Sequence, residues 1–418
     1  MNTYPLELIA QLGPVMFVAG LNQANTTNSI PNLTNPKSNT TNQTKGKKND
    51  SNANTIRRPP PAAAGHRKHQ SMSDTMNMNP ALTPSSSSPT YLGHDSRRPR
   101  IFYNRTSIIH CSWSSISRMS PEIVKTAYCV DNRPKYPLQI LATRYRMSNF
   151  GTGSGYTLIL LHATGMHKET WEVFVEHLFK LSSDHANFLI EDIFSIESPN
   201  HGESAVINEE TLRKDFEDQW SPGEYGRAIH TFLTCGQNTA GVDFGQRRMI
   251  VISHSVGAPA IFLMNERLLP TFKFATMIAI EPGISQLGNA ETAMVTQMLT
   301  AWTWLRHDVW PSRKVAKKEL QALPLYAAWD PRVLDLYINH GLRQHSAAKY
   351  NPPFQFKGVT TALTKEQEAA TYRSEELVSD ALEAYTAASR KMPIHLIWGK
   401  DNDVATPALQ ELLADTKA

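Results

Sequence analysis

The stretch "MIVISHSVGAPA", residues 249–260, places Ser255 between a run of apolar residues and a run suited to a helix. In the pattern small-x-nucleophile-x-small, the chain turns sharply from a strand into a helix and exposes the central hydroxyl. Ser253 and Gly257 are the two small residues here, although glycine is the usual first member. The spacing predicts that Ser255 attacks a carbonyl carbon and that the backbone N–H of Val256 donates to the resulting oxyanion.

A second oxyanion donor is expected from the loop that follows the apolar run "TLILLH", residues 157–162. In this loop the usual His-Gly pair is replaced by His162-Ala163. Thr164 and Gly165 follow, and both remain candidate donors, with Thr164 preferred. His162 itself is interpreted as a structural residue that closes the strand.

Two acidic residues are candidates for the carboxylate of a catalytic triad. Glu281 directly follows the apolar run "FATMIAI", and Asp403 lies in "IWGKDNDVATP", four residues before Pro407. The Asp-x-x-x-Pro spacing favours Asp403, and both candidates are retained. Asp401 is interpreted as a turn residue.

The sequence contains no histidine at the position where the triad histidine is expected. In this kind of fold the chain order is nucleophile, acid, histidine. Fifteen residues follow Asp403, and none of them is histidine. The chain is therefore expected to stop before a final strand and its histidine, and its catalysis is expected to be severely impaired. Substitution by His201 or by a histidine of the helical segment is the weaker alternative, because the base must reach Ser255.

Alternating strands and helices must position these residues. Apolar runs bounded by turns predict buried parallel strands, and apolar residues at helical spacing separate them. The pattern predicts an α/β fold with a mostly parallel sheet flanked by helices. Residues 101–283 and 392–418 would form this core, and residues 284–391 a helical cap over the edge of the sheet at which ligands bind. Trp302 and Trp304 in the cap are predicted to contact the substrate.

The composition of the N-terminal region differs from that of the rest. Residues 22–100 contain eleven Lys or Arg against three acidic residues and are rich in Asn, Ser, Thr and Pro. Such a segment buries too little apolar surface to fold, so residues 1–100 are predicted to be disordered. No aromatic residues alternate with the basic ones, which argues against nucleic acid as a partner. The apolar run at residues 8–21 is too short for a transmembrane segment.

Three cysteines without metal-like spacing predict no metal site and a reducing, intracellular location. The quoted motifs "TLILLHATG", "SPNHGESAV", "VISHSVGAPA" and "IAIEPGI" together resemble the α/β-hydrolase superfamily, in particular a fungal branch of peroxisomal and toxin-biosynthesis hydrolases. That resemblance covers the chain from about residue 101 onward. It implies a Ser–His–acid triad, hydrolysis without a cofactor, and a cytoplasmic or peroxisomal location.

Two functions follow from these observations. The first is a serine hydrolase of the esterase or lipase type, whose substrate is a small hydrophobic ester or thioester, because an aromatic cap forms an apolar pocket wall. The second is a non-catalytic protein of the same fold that binds a hydrophobic small molecule. The departures at Ser253 and Ala163 favour the second. A third reading, the basic N-terminal region as an interaction module, has less support.

Overall fold

A central eight-stranded sheet organises the protein in its computed structural model. The structure describes residues 105–108, 122–149, 154–184, 188–286, 288–377, 379–399 and 405–415. The strands, in chain order, are β1 (Arg105–Ile108), β2 (Ile123–Val130), β3 (Ile140–Met147), β4 (Tyr156–Leu161), β5 (Ile190–Ile196), β6 (Arg248–His254), β7 (Phe274–Ile280), β8 (Val309–Trp310), β9 (Leu342–Gln344), β10 (Val359–Thr361) and β11 (Ile394–Ile397). The order in the large sheet is β1-β2-β3-β5-β4-β6-β7-β11.

The large sheet is mostly parallel, as the sequence predicted. The strands β5, β4, β6, β7 and β11 run parallel to one another, whereas β1, β2 and β3 pair antiparallel, and β3 is antiparallel to β5. The strand β2 was not predicted from the sequence. Its first half is only partly buried, so it lacks the continuous apolar run that reveals a central strand.

Twelve α-helices surround the sheets in the described part of the chain. They are α1 (Glu172–Asp184), α2 (Gly202–Ile207), α3 (Glu209–Asp215), α4 (Pro222–Ala240), α5 (Gly257–Arg267), α6 (Ala290–Leu305), α7 (Arg313–Gln321), α8 (Pro324–Ala327), α9 (Pro331–His340), α10 (Lys365–Arg373), α11 (Asp380–Ser389) and α12 (Pro407–Asp415). No helix among the described residues is long and apolar enough to cross a membrane.

Both faces of the sheet are covered, because successive side chains of a strand point to opposite faces. In β4, Ile159 and Leu161 join the hydrophobic cluster that includes α4 and α5. Leu158 and Leu160 of the same strand join the cluster that includes α1. All four side chains are fully buried. A strand that is covered on both faces needs apolar residues at successive positions, and β4 has them.

The segment between β7 and β11, for which a helical cap was predicted, holds α6 to α11. It also contains a three-stranded antiparallel sheet in the order β8-β10-β9, which the sequence did not predict. These strands have two or three residues, too few to show a period-two pattern. Within the same segment, α11 packs against α5 of the core, where the rings of Tyr385 and Phe262 lie 5.4 Å apart. The predicted disordered region, residues 1–100, lies outside the described residues.

Candidate active site

Ser255 occupies a strained turn between β6 and α5. Its backbone φ is 50°, in the left-handed region that residues with a side chain rarely adopt. Its N–H donates to the carbonyl of Ile280 over 3.0 Å, and its carbonyl accepts from the N–H groups of Ala258 and Gly283, each over 3.1 Å. Such strain persists only where neighbouring contacts hold it, and it is common at functional sites. The predicted position of Ser255 on a strand-to-helix turn is thus what the structure shows.

The two small residues of the motif fit the turn for different reasons. A Cβ on Gly257 would lie 2.8 Å from the carbonyl oxygen of Leu161 in the adjacent strand β4, so a larger residue does not fit. Ser253 is fully buried, and its hydroxyl lies 3.4 Å from the carbonyl of Ile278 in β7. A serine is accommodated there because a backbone acceptor lies beside its hydroxyl.

The loop after β4 lies beside the serine turn, because β4 pairs with β6 through Leu161 and Ser253. Gly165, with a φ of 80°, donates its N–H to Nε2 of His201 over 3.0 Å. Within the described residues, no hydrogen bond occupies the N–H of Thr164 or that of Val256. Of the two candidates in this loop, Thr164 is therefore the one whose N–H is left for an oxyanion.

Two buried histidines hold this loop in place. His162 accepts from the N–H of Ser198 at Nε2, over 3.0 Å, and its Nδ1 lies 2.9 Å from the carbonyl of Ala163. His201 places Nδ1 2.6 Å from Oδ1 of Asn200, and its ring packs edge-on against His162 with centroids 4.9 Å apart. The structural interpretation of His162 agrees with these contacts. The role of His201 was missed, because its partner Gly165 is 36 residues away.

The two imidazoles are uncharged in the folded protein. Burial lowers the pKa of His162 to about 3. Burial, followed by the nearby His162 and His167, lowers the pKa of His201 well below its usual value. Both rings thus keep an unprotonated Nε2 that can accept a backbone N–H.

Acidification is expected to destabilise the protein through these two histidines. The unfolded chain binds protons near pH 6.5, whereas the folded chain does not. Stability is therefore fully present above about pH 6.5 and falls as the pH drops, by about 1.4 kcal/mol per pH unit for each histidine. Urea unfolding at pH 7.5, 6.0 and 5.0 measures the slope.

The slope should become shallower in His162→Gln, because this variant lacks one of the two buried imidazoles. An equal slope in His162→Gln and the unsubstituted protein would show that His162 is already protonated when folded.

Of the two acid candidates, the structure describes Glu281 only; Asp401 and Asp403 lie outside the described residues. Glu281 directly follows β7, and its φ is 44°. Ser255 and Glu281 are the two non-glycine residues with positive φ in the described part of the chain. The carboxylate of Glu281 accepts the N–H of Gly399, and its own N–H donates to Ile397, so it joins the ends of β7 and β11.

No histidine within the described ranges forms a hydrogen bond with Ser255. The adjacent His254 is partly buried, and desolvation lowers its pKa to about 4. His201 uses both of its ring nitrogens on Gly165 and Asn200. The described geometry therefore contains a candidate nucleophile and candidate oxyanion donors, and no described histidine is hydrogen-bonded to that serine.

A buried ionic cluster lies behind the loop after β4. Ligand atoms of His167, Glu169 and Glu197 lie within 4.8 Å of one another, as in a metal site. However, the ammonium of Lys168 lies 2.7 Å from Glu169 and 3.3 Å from Glu197. The side chain of Lys168 thus places a fixed cation between the carboxylates, where a metal ion would meet its repulsion. The donor set fits an internal ion pair better than a metal.

The charges of this cluster depend on one another. Burial alone would lower the pKa of Lys168, but Glu197 and Glu169 raise it above its usual value. Burial alone would raise the pKa of Glu169, but Lys168 and His167 hold it well below its usual value. Burial raises the pKa of Glu197, against the effect of Lys168. The sequence gives no signal for this cluster beyond an acid at the end of a buried strand.

A small cavity lies between the core and the segment that follows β7. Its walls include Gly165, His201 and Gly202 on one side, and Arg306, Tyr337 and Glu368 on the other. Ser255 is not among the lining residues. Gly165 belongs to the loop that carries Thr164, so the cavity adjoins the loop of this candidate oxyanion donor.

Trp302 and Trp304 lie on α6 and do not line this cavity. They are 38% and 45% exposed. The guanidinium of Arg306 lies 5.2 Å from the centre of the Trp302 ring, and Arg306 does line the cavity. Trp302 therefore packs against a residue that lines the cavity without lining it itself, whereas Trp304 faces solvent.

Comparison with known proteins places this site in a family. The sequence profile described as the alpha/beta hydrolase family matches residues 158–418, more than half of the chain. The chain is a member of the alpha/beta hydrolase family. This assignment confirms the fold predicted from the serine motif and from the alternation of strands and helices.

Several proteins from fungi are similar to the chain. It is 27% identical over 181 residues to the Peroxisomal membrane protein LPX1 of Saccharomyces cerevisiae, covering 43% of each protein. It is 27% identical over 241 residues to the Type I acyl-CoA thioesterase mpaH' of Penicillium brevicompactum, covering 56% of the chain and 52% of the relative. The chain spans about half the length of these curated relatives or less.

The solved structure of the peroxisomal alpha-beta-hydrolase Lpx1 of Saccharomyces cerevisiae has the same fold. Its TM-score to the present structure is 0.52 at 17% sequence identity, and the match covers 77% of the chain and 80% of that structure. At this sequence identity, the structural similarity establishes the fold only. The chemistry of the present protein has to be argued from the residues of its own site.

Proposed function

We propose that the protein is a serine hydrolase that cleaves an ester or thioester with a hydrophobic acyl portion. The observation that carries this proposal is the strained Ser255, held at a φ of 50° at the end of a central strand of an alpha/beta hydrolase. The free N–H groups of Val256 and Thr164 on either side support it. The proposed reaction uses no cofactor.

In this reaction Oγ of Ser255 attacks the carbonyl carbon of the substrate and loses its proton to a base. The oxyanion accepts from the N–H groups of Val256 and Thr164, which stabilise charge that develops in the transition state. The intermediate collapses to an acyl-serine while the base returns the proton to the departing alcohol or thiol, and water then releases the acid by the same steps. Glu281 and Asp403 remain the proposed acids that orient the base.

The substrate class rests on two observations. A relative that matches 56% of the chain is named as an acyl-CoA thioesterase, which favours a thioester as well as an ester. Trp302 and Trp304 stay proposed contacts for a hydrophobic acyl portion.

We also propose a cytoplasmic or peroxisomal location, because the yeast relative is named as peroxisomal and because Cys129 and Cys235 are free thiols. Fluorescence microscopy of a tagged full-length chain tests this location.

Labelling with a fluorophosphonate is expected to add one phosphonyl group to Ser255. The reason is that the probe is attacked by the serine hydroxyl and its oxygen then occupies the place of the oxyanion. Intact-mass measurement after incubation for hours, followed by peptide mapping, detects the adduct.

Ser255→Ala should remain unlabelled, and Ser253→Ala, which removes a buried hydroxyl two residues away, should still be labelled. An adduct on another residue, or none on the folded protein, would overturn the proposed hydrolase.

The second candidate is a non-catalytic protein that binds a hydrophobic small molecule. It is favoured by one observation, the lack of a described histidine in contact with Ser255. Binding of a fatty acid or its ester that is unchanged in Ser255→Ala, together with no hydrolysis across a panel of esters, would support it.

A further inference from the structure

The helix α6 carries an apolar surface that faces solvent. One side of the helix is covered, because Thr303 is buried and its hydroxyl donates to Glu368 of α10 over 3.2 Å. The opposite side exposes large apolar side chains, and Met294 is 66% and Leu305 84% exposed. Folded proteins rarely expose contiguous apolar surface that serves no interaction, so this side of α6 is a candidate interaction surface.

The exposed apolar residues of α6 have the spacing of a helix–helix contact. Residues that are four, three and four positions apart return to the same side of a helix, as the a and d positions of a heptad do. In α6 this spacing defines a line that we call the α6 seam, and each of its members is exposed: Met294, Met298, Ala301 and Leu305. The pattern predicts that another helix packs along this line.

The seam carries no charge, and this limits the class of partner. Glu291, in the first turn, is the only charged residue between Ala290 and Leu305. A helix that lies on an anionic membrane has Lys and Arg beside its apolar side, and α6 has none. A charged peptide would likewise find no opposite charge along the seam. An apolar protein surface of matching shape is the partner that fits.

A second copy of α6 provides such a surface. In an antiparallel pair related by a two-fold axis, Met298 of one copy lies against Ala301 of the other. In the outer layers, Met294 lies against Leu305. The inner layers thus combine a large side chain with a small one, which fills the space between two helices. A parallel pair would place Ala301 against Ala301 and leave a gap.

The exposed area is sufficient for a weak dimer. Five large side chains of α6 are between 38% and 84% exposed: Met294, Met298, Trp302, Trp304 and Leu305. At about 200 Å² for each whole side chain, they expose on the order of 500 Å² per copy. Two copies would bury about 1,000 Å², the lower limit for a specific interface. We therefore expect a dissociation constant of about 1–100 μM.

We propose that α6 is a homodimer interface, in which the α6 seam packs antiparallel against the seam of a second copy. The proposal does not depend on the proposed hydrolase, because no seam residue belongs to the proposed active site. Trp302 and Trp304, the proposed acyl contacts, flank the seam and are not members of it.

Sedimentation velocity of the full chain between about 1 and 200 μM tests the dimer, and this range brackets the expected dissociation constant. The unsubstituted chain should change from monomer to dimer over this range. Met298→Asp should weaken the dimer by about 100-fold or more, because it places two unpaired carboxylates in the interface. Ala293→Asp adds the same charge at an exposed position beside the seam and should keep the dimer. If Met298→Asp fails to fold, Leu305→Asp replaces it, because Leu305 makes few contacts within one chain.

Disulfide trapping tests the antiparallel orientation. A mixture of the Met294→Cys and Leu305→Cys variants should form a disulfide between the two positions, which peptide mapping identifies. Neither variant alone should form a disulfide between two copies of its new cysteine. The reason is that positions 294 and 305 are about 16 Å apart along the helix axis, whereas a disulfide needs two Cα atoms within about 7 Å.

A chain that stays monomeric at about 200 μM, well above the expected dissociation constant, would overturn the proposal. A dimer that Met298→Asp leaves unchanged would also overturn it, as would a disulfide formed by either cysteine variant alone. Two results would assign the seam to another occupant instead. Binding of a monomeric chain to phosphatidylcholine vesicles, lost in Met298→Asp, would indicate a lipid surface. A dimer that appears only after removal of residues 1–21 would indicate that the apolar run at residues 8–21 covers the seam.

Discussion

Gly202→Ala is expected to lower the free energy of unfolding by about 4 kcal/mol. Backbone strain at a positive φ contributes about 1–2 kcal/mol. The rest comes from disturbing a buried ion pair, whose complete loss costs about 3–5 kcal/mol. Gly202 begins α2 with a φ of 50°. An added Cβ would overlap Oε1 of Glu197 and lie 2.9 Å from its Cδ. The carboxylate must then move away from Lys168 and from the N–H of Ser204, which it accepts over 2.9 Å.

Gly241→Ala is the matched control, because Gly241 also has a positive φ, of 65°, and an added Cβ meets nothing within 4 Å. It should cost only the strain of about 1–2 kcal/mol. Urea unfolding at pH 7.5 measures both variants. Equal losses of stability would mean that the ion pair between Lys168 and Glu197 adjusts to the extra atom without cost.

Imidazole in the medium is expected to accelerate ester hydrolysis at Ser255 by about 10- to 100-fold, a fraction of the 10²- to 10⁴-fold effect of a positioned general base. The physical reason is that no described histidine is hydrogen-bonded to Ser255. A small diffusible base can therefore accept the proton of its hydroxyl. The partial exposure of Ser255 gives that base access. Hydrolysis of p-nitrophenyl octanoate is followed as the imidazole concentration rises at constant pH.

Ser255→Ala measures the catalysis by imidazole itself and should show no further acceleration. A fast, Ser255-dependent rate that ignores imidazole would contradict the expectation and show that a histidine of the chain already serves as the base. His201→Gln and His254→Gln would then show whether either of these two described histidines has that role.

The amino-acid sequence alone determined the kind of fold and the strand-to-helix turn on which the proposed nucleophile, Ser255, lies. Both depend on local properties. A short, mostly apolar run closed by a turn, such as residues 157–161, is typical of a central strand that is buried on both faces. Ser253 and Gly257 allow the sharp turn that strains Ser255, because larger side chains would meet the neighbouring strands. The short strands β8, β9 and β10 escaped prediction because two or three residues carry no periodic signal.

The environment of the nucleophile was decided only by the tertiary structure. His201 accepts the N–H of Gly165 across 36 residues, and this contact leaves Thr164 as the proposed oxyanion donor in its loop. Lys168 meets Glu197 across 29 residues, and Arg306 meets Glu368 across 62. The sequence shows each of these residues as an ordinary charged or turn residue. Their charge, tautomer and hydrogen bonding depend on burial and on partners that come together only when distant strands and helices pack.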